Sequence, residues 1–252
     1  MAHYMRGMVT AVRPVKEYVR LSIKAERIAE EMQPGQFAMI SAGTEPLLPR
    51  PFSIAHVDRG VLSFIFQDVG RGTGMLASLR VGDSVRLLGP LGKPFRVDVG
   101  DRPVMVAGGR GIAPFFELAR RLSGRSPLLF YGGRTQAQII ETGFFVRLCS
   151  EIIVSTEDGG MGHKGFITEP FAEYLAKSTP PVIYACGPHA MLRRVAEIAG
   201  SVPTELSMEA RMACGYGICI GCVIPTGREG YRRVCLDGPV FSGDEIRWQD
   251  LK

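Results

Sequence analysis

The sequence predicts a multidomain α+β protein: an N-terminal antiparallel β-barrel, a Rossmann-like α/β domain and a small C-terminal cysteine module. Three observations carry that prediction. Over the first third of the chain, short apolar strands follow one another closely and are broken by Gly and Pro. From about residue 101 the pattern turns to strand–helix alternation with Gly-rich turns. Near the C-terminus, four of the six cysteines cluster as Cys214, Cys219, Cys222 and Cys235. The expected divisions are 1–99, 100–205 and 206–252, and 252 residues suffice for more than one compact unit.

In the first division, Met8–Val12 and Val19–Ile23 alternate as half-buried strands. Pro34-Gly35 turns into a strand through Ile40. Segments Pro46–Ile54, Val61–Phe66 and Gly82–Pro90 follow, and strands of this length and spacing suit a closed antiparallel barrel. Two stretches within it carry chemistry. In Arg50-Pro51-Phe52-Ser53, a guanidinium matches a pyrophosphate bidentately, Pro51 fixes the backbone, and Ser53 offers a hydroxyl to a flavin ring atom. In Gly70-Arg71-Gly72-Thr73-Gly74, a Gly-rich turn opens a short helix, Met75–Leu79, whose free N–H groups suit a phosphate. Each has a plainer alternative, a surface arginine and an ordinary turn.

In the second division, strand Pro103–Ala107 runs into Gly108-Gly109-Arg110-Gly111-Ile112-Ala113-Pro114 and an amphipathic helix ending near Leu122, with Pro114 in its first turn. Three glycines between strand and helix, Gly108 with the site candidates Gly109 and Gly111, permit close approach of a dinucleotide pyrophosphate. Pro114 stands where the third glycine of G-x-G-x-x-G falls, so the standard fingerprint is not met. Strand Leu128–Tyr131 ends in Gly132-Gly133-Arg134-Thr135, and Ile152–Ser155 ends in Glu157-Asp158-Gly159-Gly160. Val182–Ala185 ends in Cys186-Gly187-Pro188, ahead of a helix over Ala190–Ala199. Parallel strands bind ligands at their C-terminal ends, where all this punctuation falls. Cys186 is the one candidate for a place beside a nicotinamide ring; the alternative is a small buried apolar side chain. Cys149 is expected in the core. His3, His56, His163 and His189 show no ligand spacing.

The cysteines follow C-x4-C-x2-C-x12-C, the plant-type [2Fe-2S] pattern. Gly215, Gly217 and Gly221 are expected to turn the backbone through positive φ, so that N–H groups donate to sulfur. The alternative is structural zinc, which usually shows two C-x2-C pairs. No apolar signal core opens the sequence, so the cysteines are expected to be metal ligands in a reducing cytoplasm. Composition, at 46% hydrophobic and 22% charged, excludes disorder. A net charge of +5 with no basic run excludes a nucleic-acid footprint, and no apolar run reaches membrane-spanning length.

The order of these pieces resembles the ferredoxin reductase superfamily, and nearly the whole chain resembles the electron-transfer subunits of two-subunit, NAD-linked dihydroorotate dehydrogenase. The motifs above carry the resemblance, with Gly89-Pro90-Leu91-Gly92, Met208–Gly215 and Val234–Phe241. It implies FAD held through Arg50, Pro51, Phe52, Ser53, the strand segment Ile65-Phe66-Gln67, and Gly72 and Thr73. It implies a [2Fe-2S] cluster on Cys214, Cys219, Cys222 and Cys235. NAD follows from the resemblance too, since Glu157 and Asp158 against Arg134 leave NAD and NADP divided. It further implies a cytoplasmic heterotetramer with an FMN-containing subunit that oxidises dihydroorotate in pyrimidine biosynthesis, electrons passing through cluster and FAD to NAD. Phe52 stands where the family often has an aliphatic residue. The tail beyond Phe241 resembles subunits serving other partners (ferredoxin, sulfide-type or hydrogenase systems) about as well. A reading of another class is a non-redox, zinc-binding structural protein. The C-terminal module is expected to be stapled by its metal and locally disordered without it. The Tyr216-Gly217-Ile218 and Ile220-Gly221 loop is expected to meet the partner.

Overall fold

A computed structural model describes residues 1–43, 48–227 and 230–251. Pro46 and Leu47, at the head of one expected strand, and Lys252 lie outside the described residues. The first third folds as expected into a closed barrel. Its strands are β1 (His3–Val15), β2 (Tyr18–Lys24), β3 (Phe37–Ala42), β4 (Arg50–Asp58), β5 (Val61–Phe66) and β6 (Ser84–Leu91), ordered β1-β2-β5-β4-β3-β6. Every neighbouring pair is antiparallel. Val9, Leu21, Ile23, Ile54, Phe64 and Leu87 fill the interior. Strand β1 is longer than its alternation predicts because it serves two neighbours in turn. Its first half pairs with β6, from His3↔Gly89 to Met8↔Ser84, and its second half with β2, ending at Val15↔Tyr18. Such long-range pairing leaves little trace in local periodicity.

Two helices attach to the barrel, α1 (Glu26–Glu31) and α2 (Arg71–Ala77). The sequence places the second at Met75–Leu79, but it begins four residues earlier. The cause is a local cap: Thr73 Oγ1 accepts from the N–H groups of Val69 at 2.9 Å and Gly70 at 3.1 Å and donates to Asp68 Oδ1 at 3.0 Å. That hydrogen bonding outweighs the poor helix propensity of Gly72 and Gly74.

The second unit is a seven-stranded sheet. Its strands are β7 (Val104–Gly108), β8 (Leu128–Gly133), β9 (Glu151–Thr156), β10 (His163–Lys164), β11 (Ile183–Cys186) and β12 (Thr204–Ser207), and β15 (Val240–Ser242) closes one edge. The order is β10-β9-β8-β7-β11-β12-β15, parallel except for β15 against β12. Crossovers include α3 (Phe115–Leu122), α4 (Thr142–Phe145), α5 (Thr168–Leu175) and α6 (His189–Ala199). Strand-order reversal beside β7 creates the crevice at which such sheets bind ligands.

The segment after β12 does not build a core of its own. A hairpin of β13 (Val223–Thr226) and β14 (Gly230–Arg233) leads back to β15. Cys222, Ile224, Val234, Cys235 and Phe241 share one cluster with Val104, Leu128 and Ile183 of the sheet. The segment also rests on the barrel: a Cβ on Gly215 would fall 2.4 Å from Met39 Cγ, and Lys93 donates its N–H to Gly238 O at 2.6 Å.

Barrel and sheet share a second core, in which Tyr18, Ala55, Ile65 and Phe95 meet Ile112, Phe115, Phe116 and Tyr184. Polar contacts pin its rim. Glu117 on α3 is buried; its Oε1 accepts from the Val57 N–H at 2.9 Å and lies 2.9 Å from His56 Nδ1. Burial raises its pKa, but His56, the Val57 N–H and Arg120 together bring it below the ordinary carboxylate value. A carboxylate with a lowered folded pKa stabilises above its unfolded value, about 4.3, and loses that contribution as pH falls through the folded value. Glu117→Gln is expected to cost about 1–3 kcal/mol at pH 7. The deficit should shrink below about pH 4, as followed by urea denaturation; a constant deficit across that window would contradict the ionic role.

Candidate functional site

The barrel opens where β4 changes neighbours. Ile54–Asp58 pair with β5, whereas Arg50–Ser53 pair only with β3, from Ile40↔Arg50 to Phe37↔Ser53. Opposite them, Ile65 and Phe66 pair only with β2. The result is a slot with main-chain edges on both sides, formed by two segments that the sequence singled out separately. The side chains of Ile65 and Phe66 are buried in the two cores, so their contribution to the slot is main chain. Phe52 lies against Phe66 with ring centroids 4.9 Å apart, and Ser53 is half-buried. The structure also brings Arg50 to Gly72. A Cβ there would fall 2.6 Å from Arg50 Nε, so only glycine lets the guanidinium lie on the start of α2. Arg50 Nη1 donates to Leu48 O at 2.7 Å, which aims the side chain. The Thr73 hydroxyl is engaged in the cap, leaving its main chain as the group available to a ligand. A planar ring with a phosphate tail fits this combination of polar main-chain edges, one hydroxyl and one guanidinium.

A cavity of about 630 Å³ lies at the C-terminal ends of the parallel strands, a size ordinary for a nucleotide site. Gly109, Gly111, Gly187 and Pro188 line it together, as the sequence predicts. Gly109 takes φ +53°, and a Cβ on Gly111 would fall 2.2 Å from Cys186 O, so the turn lies directly on β11. Cys186 itself does not line the cavity. It meets the turn through its carbonyl, while its thiol is buried and pushed up to about 12, chiefly by burial and then by the Glu209 carboxylate. The thiol is therefore neutral at physiological pH. Tyr18 and Gln67 extend the cavity wall onto the barrel, so the crevice reaches from the glycine turn to the slot segment. Glu157, Arg134 and Phe166 line it as well.

The cysteine loop packs on Met39 of β3 and exposes its outer side chains. All six cysteines are free. The four of the motif stand as two pairs: Cys219 N–H lies 3.5 Å from Cys214 Sγ, and Cys222 Sγ is 3.2 Å from Cys235 Sγ. Burial raises the Cys214 pKa, but the N–H groups of Cys219, Tyr216 and Ile218 and the Cys219 thiol outweigh it and bring the thiol to about 6. Cys235 is pushed up to about 12 by burial and by the neighbouring Cys222, against a Gly217 N–H that lowers it. Main-chain donors reach two of the four thiols, which suits an anionic sulfur group, while among the described residues no three of the cysteines close into one metal-ligating group. The positive-φ residues are Gly215, Gly217 and Ile220; Gly221, expected to be one, is not, and Ile220 makes that turn instead. Tyr216, Ile218 and Ile220 are exposed on the loop's outer face.

Comparison with known proteins fits this geometry. Residues 209–247 match the iron–sulfur cluster binding domain of dihydroorotate dehydrogenase B, and 105–197 match the oxidoreductase NAD-binding domain. A protein of Bacillus caldolyticus, dihydroorotate dehydrogenase B (NAD(+)) electron transfer subunit, is 38% identical over 90% of this chain and 91% of its own length. The chain belongs to this electron transfer subunit family. A second member, from Clostridium acetobutylicum, is 38% identical over 92% of both chains. Among solved structures, a chain of the NADH-dependent reduced ferredoxin-NADP oxidoreductase superposes with a TM-score of 0.88 at 26% identity, covering 97% of this chain and 91% of its own. The ferredoxin NADP+ reductase of Neisseria gonorrhoeae, solved with bound FAD and NADP, shares the fold at a TM-score of 0.65 and 17% identity, over 79% of this chain and 91% of its own. The family is one of oxidoreductase subunits, which removes the reading as a non-redox zinc protein.

Sequence reasoning missed several cavity residues. Tyr18, Phe166, Arg194 and Glu209 belong to no glycine motif, and only the topology brings them to one crevice. Glu209 had a signal: it lies five residues before Cys214 and two past the end of a parallel strand.

Proposed function

We propose that this chain carries electrons between an FMN-containing dihydroorotate dehydrogenase subunit and NAD+, using FAD in the barrel slot and a [2Fe-2S] cluster on Cys214, Cys219, Cys222 and Cys235. When bound, the flavin interconverts hydride and single-electron chemistry, while the cluster carries single electrons. The chain's own contribution is placement. Arg50, with Pro51 and Gly72, holds the flavin pyrophosphate, and the main chain at Phe52, Ile65, Phe66 and Thr73 holds the rest beside Ser53 and Gln67. Gly109, Gly111, Gly187 and Pro188 receive the dinucleotide, with Cys186 backing their turn. We assign these three tasks to the divisions 1–99, 100–205 and 206–252, although β12 spans the second boundary and β15 returns to the sheet.

One observation carries the proposal. Met39, against which the Gly215 loop packs, is the register partner of Pro51. The cysteine loop is therefore one strand away from the flavin motif, while its other face exposes Tyr216, Ile218 and Ile220. Such an exposed apolar patch suits a protein partner. The chain has no helix long and apolar enough to cross a membrane among the described residues. We place it in a cytoplasmic heterotetramer of two such chains and two catalytic subunits, acting in pyrimidine biosynthesis.

Isolation of the native complex tests this. The expected result is an FMN-bearing partner, flavin and iron–sulfur absorbance, and dihydroorotate-dependent reduction of NAD+. Close similarity to a ferredoxin-NADP oxidoreductase chain supports a second reading, the same module with another partner. Reduction of NAD+ by reduced ferredoxin but not by dihydroorotate would select it.

A further inference from the structure

The cavity contains an ion pair that the functions above leave unused. Arg110 projects from the glycine turn, and its Nη2 lies 3.1 Å from Glu209 Oε2. Both side chains are about half exposed and both line the cavity. Glu209 is held from behind, since His189 Nε2 donates to its carbonyl at 3.1 Å. Among the described residues this is the one ion pair joining the cavity wall to the cysteine segment. Glu209 also heads the stretch that matches the iron–sulfur domain.

We propose that Glu209 is a positioning residue that occupies Arg110 until the dinucleotide pyrophosphate displaces it, so that filling the cavity releases the start of the cysteine segment. The proposal rests on the dinucleotide reading of this cavity. A half-exposed ion pair is weak, because water and salt screen it and two long side chains lose freedom. A pyrophosphate brings two negative charges and offers a guanidinium bidentate acceptors, so it outcompetes one carboxylate. Gly109 and Gly111 bring the ligand to the Arg110 main chain, which leaves the guanidinium within reach of the incoming charge. Elsewhere in the cavity, Arg134 and Arg194 outnumber Glu157. Arg194 is tied to Glu197 at 3.4 Å, whereas the Arg110 partner belongs to the cysteine segment.

The test is binding to the holoprotein, by calorimetry, of NAD+ and of ADP-ribose, which keeps the pyrophosphate but lacks nicotinamide. Glu209→Gln is expected to tighten both ligands about three-fold at low salt, and Glu209→Asp to stay near wild type. Arg110→Gln is expected to weaken both about ten-fold, and Glu209→Gln in that background to change nothing further. On ligand addition, amide exchange at 209–214 should rise in the wild type, while in Glu209→Gln it should already be raised before ligand is added. Tightening of NAD+ but not ADP-ribose, an unchanged Glu209→Gln, or an additive double variant would each overturn the exchange. If wild type binds neither ligand, or if Gly187→Leu in the cavity wall leaves binding intact, the cavity assignment itself fails.

Discussion

Cys222→Ser is expected to abolish the iron–sulfur absorbance and to lower dihydroorotate-dependent NAD+ reduction about 100-fold or more, while flavin binding and NADH oxidation with a small artificial acceptor persist. The split follows from the architecture. Cys222 is buried against Cys235, so serine at that position presents a poorer ligand in a place closed to solvent. The Arg50–Ser53 slot and the glycine-lined cavity use no cysteine side chain of the motif. The structure also narrows the expected disorder. Strands β12 and β15 are tied by Leu206↔Phe241 and its neighbours and by the Met208 N–H to Pro239 O bond at 2.8 Å, and they share the sheet core. Metal loss should therefore raise amide exchange from Cys214 to Cys222 and along β13–β14 but leave β12 and β15 protected. Loss of protection throughout 206–251 would show that the metal staples the whole segment, as its small size alone suggests. Retained iron–sulfur absorbance in Cys222→Ser would remove that residue from the ligand set.

How much of this was legible beforehand depends on the range of the interaction. Turn chemistry is local, so the glycine turn at Gly109–Gly111 and the strand-end cluster at Cys186-Gly187-Pro188 could be placed from their flanks. The cysteine spacing is likewise local, and on its own it favours an iron–sulfur cluster over structural zinc, which it leaves open as the alternative. What the chain order concealed is adjacency. Nothing in the spacing of Arg50 and Gly72, or of Met39 and Gly215, announces that each pair touches; barrel closure and the return of the last segment onto β3 create those contacts. Cys186 shows the limit of position-based reasoning. A residue at a strand end can face the ligand crevice or the core, and here the side chain is buried in the core cluster while its carbonyl meets the turn. The early start of α2 shows the opposite case, in which one hydroxyl, Thr73, outweighs a glycine-rich composition.

The glycine turn offers the sharpest test of the cavity, because its two glycines are required for different reasons. Gly109 has φ +53°, but a Cβ there would meet nothing nearer than Tyr18 Oη at 3.4 Å. Its constraint is conformational, so Gly109→Ala is expected to cost about 1–2 kcal/mol, and Gly109→Asn less because asparagine tolerates the left-handed region. Gly111 has no such strain. A Cβ there would lie 2.2 Å from Cys186 O and 2.8 Å from Gly187 N, both main-chain atoms of the adjoining strand end, so no side-chain rotation relieves the overlap. The turn must lift from β11 by roughly 1 Å, which costs about 1–3 kcal/mol in overpacking. It also displaces the N–H groups proposed here to meet the pyrophosphate, and a misplacement of that size costs about 100-fold in function. Gly111→Ala should therefore lower Tm by about 2–12 °C and weaken NAD+ binding far more than Gly109→Ala does, although alanine is the same addition at both positions. Equal loss of NAD+ affinity from the two substitutions would mean that conformation alone shapes the turn. Loss of stability in Gly111→Ala with NAD+ affinity intact would move the dinucleotide away from this crevice.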